Sequence, residues 1–157
     1  MGAHRKEGNE DMNAAPIVVG VDGSEESRLA LRWAFEYAQM SGAPVEVIIA
    51  WEIPPSYGWA PSYDDVDFEK KAQETVEEIV RGVLGDDALV TCRVERGHPA
   101  PILVVASKQA QLLVVGSRGH GAFAEMLLGS VSQHCVHHAR GPVVVIRRPE
   151  GGSRPSH

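Results

Sequence analysis

Five short runs rich in β-branched residues, PIVVGVD, PVEVIIAW, ALVTCRVE, QLLVVGS and PVVVIRR, punctuate the chain at regular intervals. They are mostly apolar throughout rather than alternating, the pattern of strands covered on both faces. The segments between them have helical spacing instead. In SEESRLALRWAFEYAQMSG, Ala30, Trp33, Ala34, Tyr37 and Ala38 share one face, with Ser24 as N-cap and Gly42 as stop. DFEKKAQETVEEIVRGVLG carries a stripe of Phe68, Ala72, Val76, Ile79, Val80 and Val83 and ends near Gly85, while PAPILVVASKQA and SVSQHCVHHARG are shorter helices. The order β-α-β-α-β-α-β-α-β predicts an α/β fold, a five-stranded parallel sheet with helices on both faces and right-handed crossovers.

A chain of 157 residues supports one domain of this kind. Residues 1–15 are polar and charged and residues 149–157 are rich in Gly, Pro and Ser, so disordered tails are expected around a folded unit of residues 16–148. Fifteen basic against 21 acidic residues leave a formal charge of −6, the wrong sign for a sequence-independent nucleic-acid partner. No run approaches the roughly 20 apolar residues of a membrane span, and the first residues lack the apolar core of a secretory signal; no membrane contact and a cytoplasmic location are expected. Cys92 and Cys135 fall outside any CxxC pattern, which indicates neither a disulfide framework nor a zinc motif. The connection from Glu52 to Val66 holds three prolines and three aromatics. It reads either as a lid over the carboxyl ends of the strands or as a surface loop whose Tyr57, Trp59 and Tyr63 cover apolar surface.

The chemistry concentrates in VVGSRGHGAFAEMLLGSVS, Val114 to Ser132. Gly116 closes an apolar strand, Gly119 follows, and Gly129-Ser130 opens a helix. Glycines permit positive φ and remove the Cβ that would keep a bulky anion from backbone N–H groups. A helix N-terminus adds unpaired N–H donors and a favourable dipole, and Arg118 supplies a mobile charge. This is an arrangement for phosphate. Ser130 to Gln133 also fits the S-x-x-Q capping box, in which the Ser130 hydroxyl binds the N–H groups of its own helix. Neither a P-loop nor G-x-G-x-x-G is present. The first strand ends in GVDGS, where the Asp22 carboxylate would repel pyrophosphate but suits a ribose hydroxyl or an adenine amine. If strands 1 and 4 are neighbours, as in the order 3-2-1-4-5, the crevice between them is the topological switch point where ligands bind.

Taken together, VVGVDGSEES, ALRWA, HPAPILVVAS, LLVVGSRGHGAF, LLGSVSQHCVHHA and PVVVIRR resemble the universal stress protein family over nearly all of Pro16 to Arg148. The most specific element is the spacing of Gly116, Gly119 and Gly129-Ser130, similar to the G-x2-G-x9-G-S/T signature of the family's ATP-binding branch. The resemblance implies a Rossmann-like 3-2-1-4-5 sheet of the adenine nucleotide alpha hydrolase-like kind. It implies binding of ATP, with or without Mg2+, or of another adenine nucleotide, and a role as a nucleotide-dependent regulatory or stress-response module. It also implies a homodimer formed through the last strand, Val143 to Ile146. Carried over by position, it puts the nucleoside near Gly20, Val21, Asp22 and Ala50, and the phosphates at Gly116, Arg118, Gly119, Gly129, Ser130, Val131 and Ser132, with Val115 lining the pocket. Two positions depart from the family: Gln111 stands where an aspartate is frequent, and Trp51 follows strand 2 where the family varies freely.

Three other readings bear on the same residues. Fast phosphoryl transfer requires a phosphate lysine, a metal carboxylate and a residue that positions the nucleophile; the loop offers Arg118 alone, so the enzymatic alternative is slow ATP hydrolysis without an assigned catalytic residue. His134, His137 and His138 fall at i, i+3 and i+4 beside Cys135 and could present two imidazoles to one ion. No carboxylate shares that helix, and solvated histidines on an amphipathic helix are the expectation, with no metal site. The third is a partner-binding module that has lost its ligand, against which the intact glycines speak.

Overall fold

Each apolar run forms a strand, and each helix-period segment forms the crossover to the next. The computed structural model describes residues 15–53, 65–120 and 127–149; residues 1–14 and 150–157 of the expected tails, and most of the 52–66 connection, lie outside them. In chain order the elements are β1 (Ile17–Gly20), α1 (Glu25–Ser41), β2 (Val45–Trp51), α2 (Asp65–Leu84), β3 (Thr91–Arg96), α3 (Pro99–Ser107), β4 (Leu112–Gly116), α4 (Ser130–His138) and β5 (Val143–Ile146). All four strand pairings are parallel and the sheet order is β3-β2-β1-β4-β5. This is the order expected from the resemblance.

The unbroken apolar runs place a buried side chain on each face of the central strands. Ile17, Val19, Val45, Val47, Leu112 and Val114 meet Leu31, Ala34 and Ala38 of α1 and Val76 and Ile79 of α2 on one side. Val18, Ile48, Leu113 and Val115 meet Leu103 and Ala106 of α3 and Cys135 of α4 on the other. Two cores therefore sandwich one sheet, and the crossovers leaving β1 and β4 run to opposite faces. Between those strands, the crevice opens at their carboxyl ends.

Local signals set the helix ends. Ser24 caps α1 by accepting a hydrogen bond from the Ser27 N–H, and Gly42 closes the helix at φ 75°, the left-handed region that glycine enters without a steric cost. His98 caps α3 through its ring nitrogen Nδ1, which accepts from the Ala100 N–H at 3.3 Å, and Pro99 occupies the first helical position. The two positions that depart from the family have structural tasks here. The Gln111 side-chain amide donates to the Ala15 carbonyl at 2.7 Å and ties the entry of β4 to that of β1. Trp51 stacks on Phe68, ring centroids 6.4 Å apart, with the Arg96 guanidinium 5.6 Å from its own centroid. Among the described residues no helix is long and apolar enough to cross a membrane.

Candidate functional site

In a parallel sheet every crossover helix begins at the carboxyl edge of the strands, so the helix N-termini gather there. A cavity of about 460 Å³ opens at this edge, between the first turns of α3 and α4. It is lined by all twelve residues singled out in the sequence: Gly20, Val21, Asp22, Ala50, Val115, Gly116, Arg118, Gly119, Gly129, Ser130, Val131 and Ser132. A volume of this size suits a small organic ligand. Strand β2 and helix α3 contribute Ile48, Ala50, Pro99, Ile102 and Leu103 to the lining; the loop after β4 and helix α4 contribute Arg118, Gly119, Gly129, Ser130 and Ser132. One part of the wall is thus apolar and the other is rich in backbone and hydroxyl donors.

The start of α4 departs from the expected capping box. The N-cap is Gly129, in extended conformation at φ −75° and ψ 173°, and Ser130 lies inside the helix as its first residue. The Gln133 N–H donates to the Gly129 carbonyl at 3.0 Å, the first bond of the helix. Since the cap residue is glycine, it has no side-chain oxygen to occupy the leading N–H groups, which are the donors an anion would take. The Ser132 hydroxyl is buried and donates to backbone instead, with the Ser117 carbonyl at 2.8 Å and the Gly129 carbonyl at 3.0 Å.

The glycines act differently from the expectation of positive φ. The positive-φ glycines among the described residues are Gly23, Gly42, Gly85 and Gly97, none of them in the signature. What the signature positions require is the absence of a Cβ. At Gly116 a Cβ would stand 2.8 Å from the carbonyl carbon of Glu26 and 2.9 Å from the Ser27 nitrogen, so this glycine lets the first turn of α1 pack against the end of β4. At Gly119 it would collide with Oδ2 of Asp22, and at Gly129 it would lie 3.3 Å from Cα of Arg118. The three glycines bring backbone onto backbone and onto a carboxylate, and so set the shape of the cavity's polar wall.

Asp22 is engaged on both oxygens. Oδ1 accepts from the Ser24 N–H at 2.9 Å and from the Ser24 hydroxyl at 2.5 Å, and Oδ2 accepts from the His120 N–H at 3.0 Å. Withdrawal from water raises its pKa, but the hydrogen bonds from Ser24, His120 and Ser27 together outweigh this and hold the carboxyl below its ordinary value. Arg118 is equally committed: its guanidinium donates to Oε1 of Glu26 at 3.3 Å, and the Glu26 carboxylate is buried at the start of α1. The mobile charge expected of Arg118 is therefore held by a counter-charge from the far side of the sheet.

Sequence reasoning passed over Ser27, Ile48, His98, Pro99, Ile102, Leu103 and His120, which also line the cavity. The His98-Pro99 pair, a cap followed by proline at a helix start, was the signal that could have brought α3 into the site. The histidines of α4 stay apart from it. His134 and His138 lie with ring centroids 4.4 Å apart and His137 stands 6.4 Å from His138, all exposed. No group of three His, Cys, Asp or Glu side chains suited to a metal ion occurs among the described residues.

Comparison with known proteins agrees with this fold. The model of the universal stress protein family matches residues 14–147. A universal stress protein of Mycolicibacterium smegmatis is 37% identical over 139 residues, covering 83% of this chain and 47% of the relative. The chain spans about half the length of the curated relatives it matches. Among solved structures, a universal stress protein in complex with cAMP superposes with a TM-score of 0.58 at 26% identity, over 84% of this chain and 95% of that one. The universal stress protein from Archaeoglobus fulgidus in complex with dAMP gives a TM-score of 0.54 at 26% identity, over 86% of this chain and 99% of that one. With its sheet order, its crevice and this match over most of its length, the chain belongs to the universal stress protein family.

Proposed function

We propose that this chain binds an adenine nucleotide, ATP with its accompanying Mg2+, and serves as a nucleotide-dependent regulatory module in the response to stress. The observation that carries this reading is the glycine-capped N-terminus of α4 opening on a cavity whose other wall is apolar. The base fits against Ile48, Ala50, Leu103 and Val115, and Asp22 at the end of β1 accepts from a ribose hydroxyl or the adenine amine. The phosphates fit the N–H donors of Ser130 and Val131, beside Gly119, Arg118 and Gly129, whose own N–H is held by the Ser117 carbonyl at 2.6 Å. Complexes of two family members with cAMP and dAMP support an adenine nucleotide as the ligand class.

A regulatory role is favoured over turnover because the described lining has one guanidinium and no lysine, and rapid phosphoryl transfer draws on more positive charge and a positioned nucleophile. The protein acts in the cytoplasm, without a nucleic-acid partner, as a homodimer paired through Val143 to Ile146. Identification of the nucleotide released when freshly purified protein is denatured, followed by calorimetric titration with ATP, AMP and adenosine, tests the reading. An adenine nucleotide in the supernatant and saturable ATP binding are expected. Protein that releases none and binds none of the three overturns it.

A further inference from the structure

The polar wall of the cavity has a charge balance that the signature alone does not reveal. Arg118 is the guanidinium of the lining, Asp22 is a carboxylate of the same wall, and Glu26, outside the lining, is paired with Arg118 at 3.3 Å. Glu26 belongs to the first turn of α1, a helix that packs on the other face of the sheet from α3 and α4, and Gly116 lets that turn approach β4 so closely that a Cβ at 116 would meet Glu26 at under 3 Å. The carboxylate so placed is 11% exposed and the Arg118 side chain 21% exposed. Screening by salt is weak at such a position, and a charge there acts at close to its full strength on its neighbours.

We infer that Glu26 is a positioning residue that grades the ligands of this cavity by their phosphate charge, acting through Arg118; the inference rests on the adenine-nucleotide reading above. A phosphate that approaches Arg118 must compete with Glu26 for the guanidinium, and it also meets the negative charge of Glu26 behind it. Adenosine carries no charge and does neither. The Glu26–Arg118 pair therefore lowers the gain in affinity that each added phosphate brings, and keeps a polyphosphate from binding far more tightly than a monophosphate. The near-contact at Gly116 has a second consequence here, since a larger residue at that position would push Glu26 away from Arg118.

Glu26→Gln keeps the shape and one acceptor oxygen but removes the charge. Calorimetric titration of wild type and variant with ATP, AMP and adenosine should show ATP bound at least about fivefold more tightly, AMP improved by less and adenosine unchanged. The affinity for ATP should also fall more steeply with salt. In an Arg118→Gln background the same substitution should change ATP affinity by no more than about twofold. Should Glu26→Gln fail to fold by circular dichroism, Glu26→Asp retracts the carboxylate from Arg118 and should likewise favour ATP over adenosine. Unchanged ATP affinity, an equal change for all three ligands, or a full gain without Arg118 overturns the inference. Wild-type protein that binds none of the three overturns the nucleotide reading itself, and the inference with it.

Discussion

The backbone N–H of His120 donates to Oδ2 of Asp22 at 3.0 Å, across 98 residues of sequence. This bond fastens the end of β1 to the loop that follows β4, and Ser24 secures the other oxygen of the same carboxylate. One ionised side chain thus holds together the two strands that flank the switch point.

The acid stability of the fold should reflect this. The Asp22 carboxyl is held below its ordinary value of 3.8, so it contributes stability that is fully present above about pH 5 and is lost as the pH falls through the lowered folded value. Asp22→Asn should lower the melting temperature near neutral pH, the weakening of these part-buried and exposed hydrogen bonds costing about 0.5–1.5 kcal/mol. The gap from wild type should close below about pH 4. A gap that stays constant down to about pH 2 by differential scanning calorimetry would remove Asp22 from this role.

Substitutions at the three glycines should separate by what each would strike. Gly116→Ala drives a methyl group into the backbone of α1 and should cost about 1–3 kcal/mol of stability with no ligand present. Gly129→Val presses a branched side chain on the backbone of Arg118 and Gly119, beside the leading N–H groups of α4, and should weaken ATP at least about tenfold, about 1.4 kcal/mol, while adenosine is retained. Gly119→Ala displaces the Asp22 carboxylate and should weaken both ligands. Titration of each variant with the two ligands checks this split; adenosine lost equally in all three would refute the division of the cavity.

How much of this was legible in the sequence depends on whether a residue's task is local. The strands and helices were readable because apolar runs and helical stripes report on the faces a segment must bury, and Ser24 and Gly42 act on their own helix. The sheet order came from the resemblance. All twelve proposed lining residues meet in the cavity, yet the reason for the glycines was misread: Gly116 is dictated by Glu26, some 90 positions away in the chain, and Gly119 by Asp22. The capping box at Ser130 failed because the helix starts one residue earlier than the motif requires, after a glycine cap that has no side chain to announce it. For α3, the His98-Pro99 pair marks where the helix starts, but its position beside α4 is set by the tertiary fold and not by its own residues.

The edge strand gives a third prediction. In β5 the carbonyls of Pro142 and Ile146 accept from Leu113 and Ser117, and the alternation of a parallel ladder then turns Val144 toward β4 and Val143 and Val145 outward. Val145→Pro removes an outward donor and leaves the internal ladder intact. Light scattering should find a dimer in the wild type and a monomer in this variant. A variant that keeps the dimer mass, or a wild type that is monomeric at micromolar concentration, would exclude β5 as the interface.

His98 offers a fourth. Its Nδ1 can accept from the Ala100 N–H only when that nitrogen is unprotonated. His98→Ala should destabilise the fold by about 0.5–1 kcal/mol, and His98→Asp, a stronger cap, should restore or exceed wild-type stability. Thermal melts of the two variants test the cap, which fails if alanine and aspartate melt together.

Cys135 lies in the core beneath α4, fully buried, with its thiol pushed up to about 11 by that burial. It is therefore a poor nucleophile in the folded protein, and a thiol reagent can reach it only when α4 lifts from the sheet. Cys92, half-buried on β3, should label first and can be removed by substitution. The remaining slow reaction then clocks the opening of one helix, the one whose first turn forms a wall of the cavity. A molecule held at that turn lengthens the clock's period, so this chain carries its own kinetic gauge of occupancy, one that needs no tag on the occupant and no knowledge of what it is.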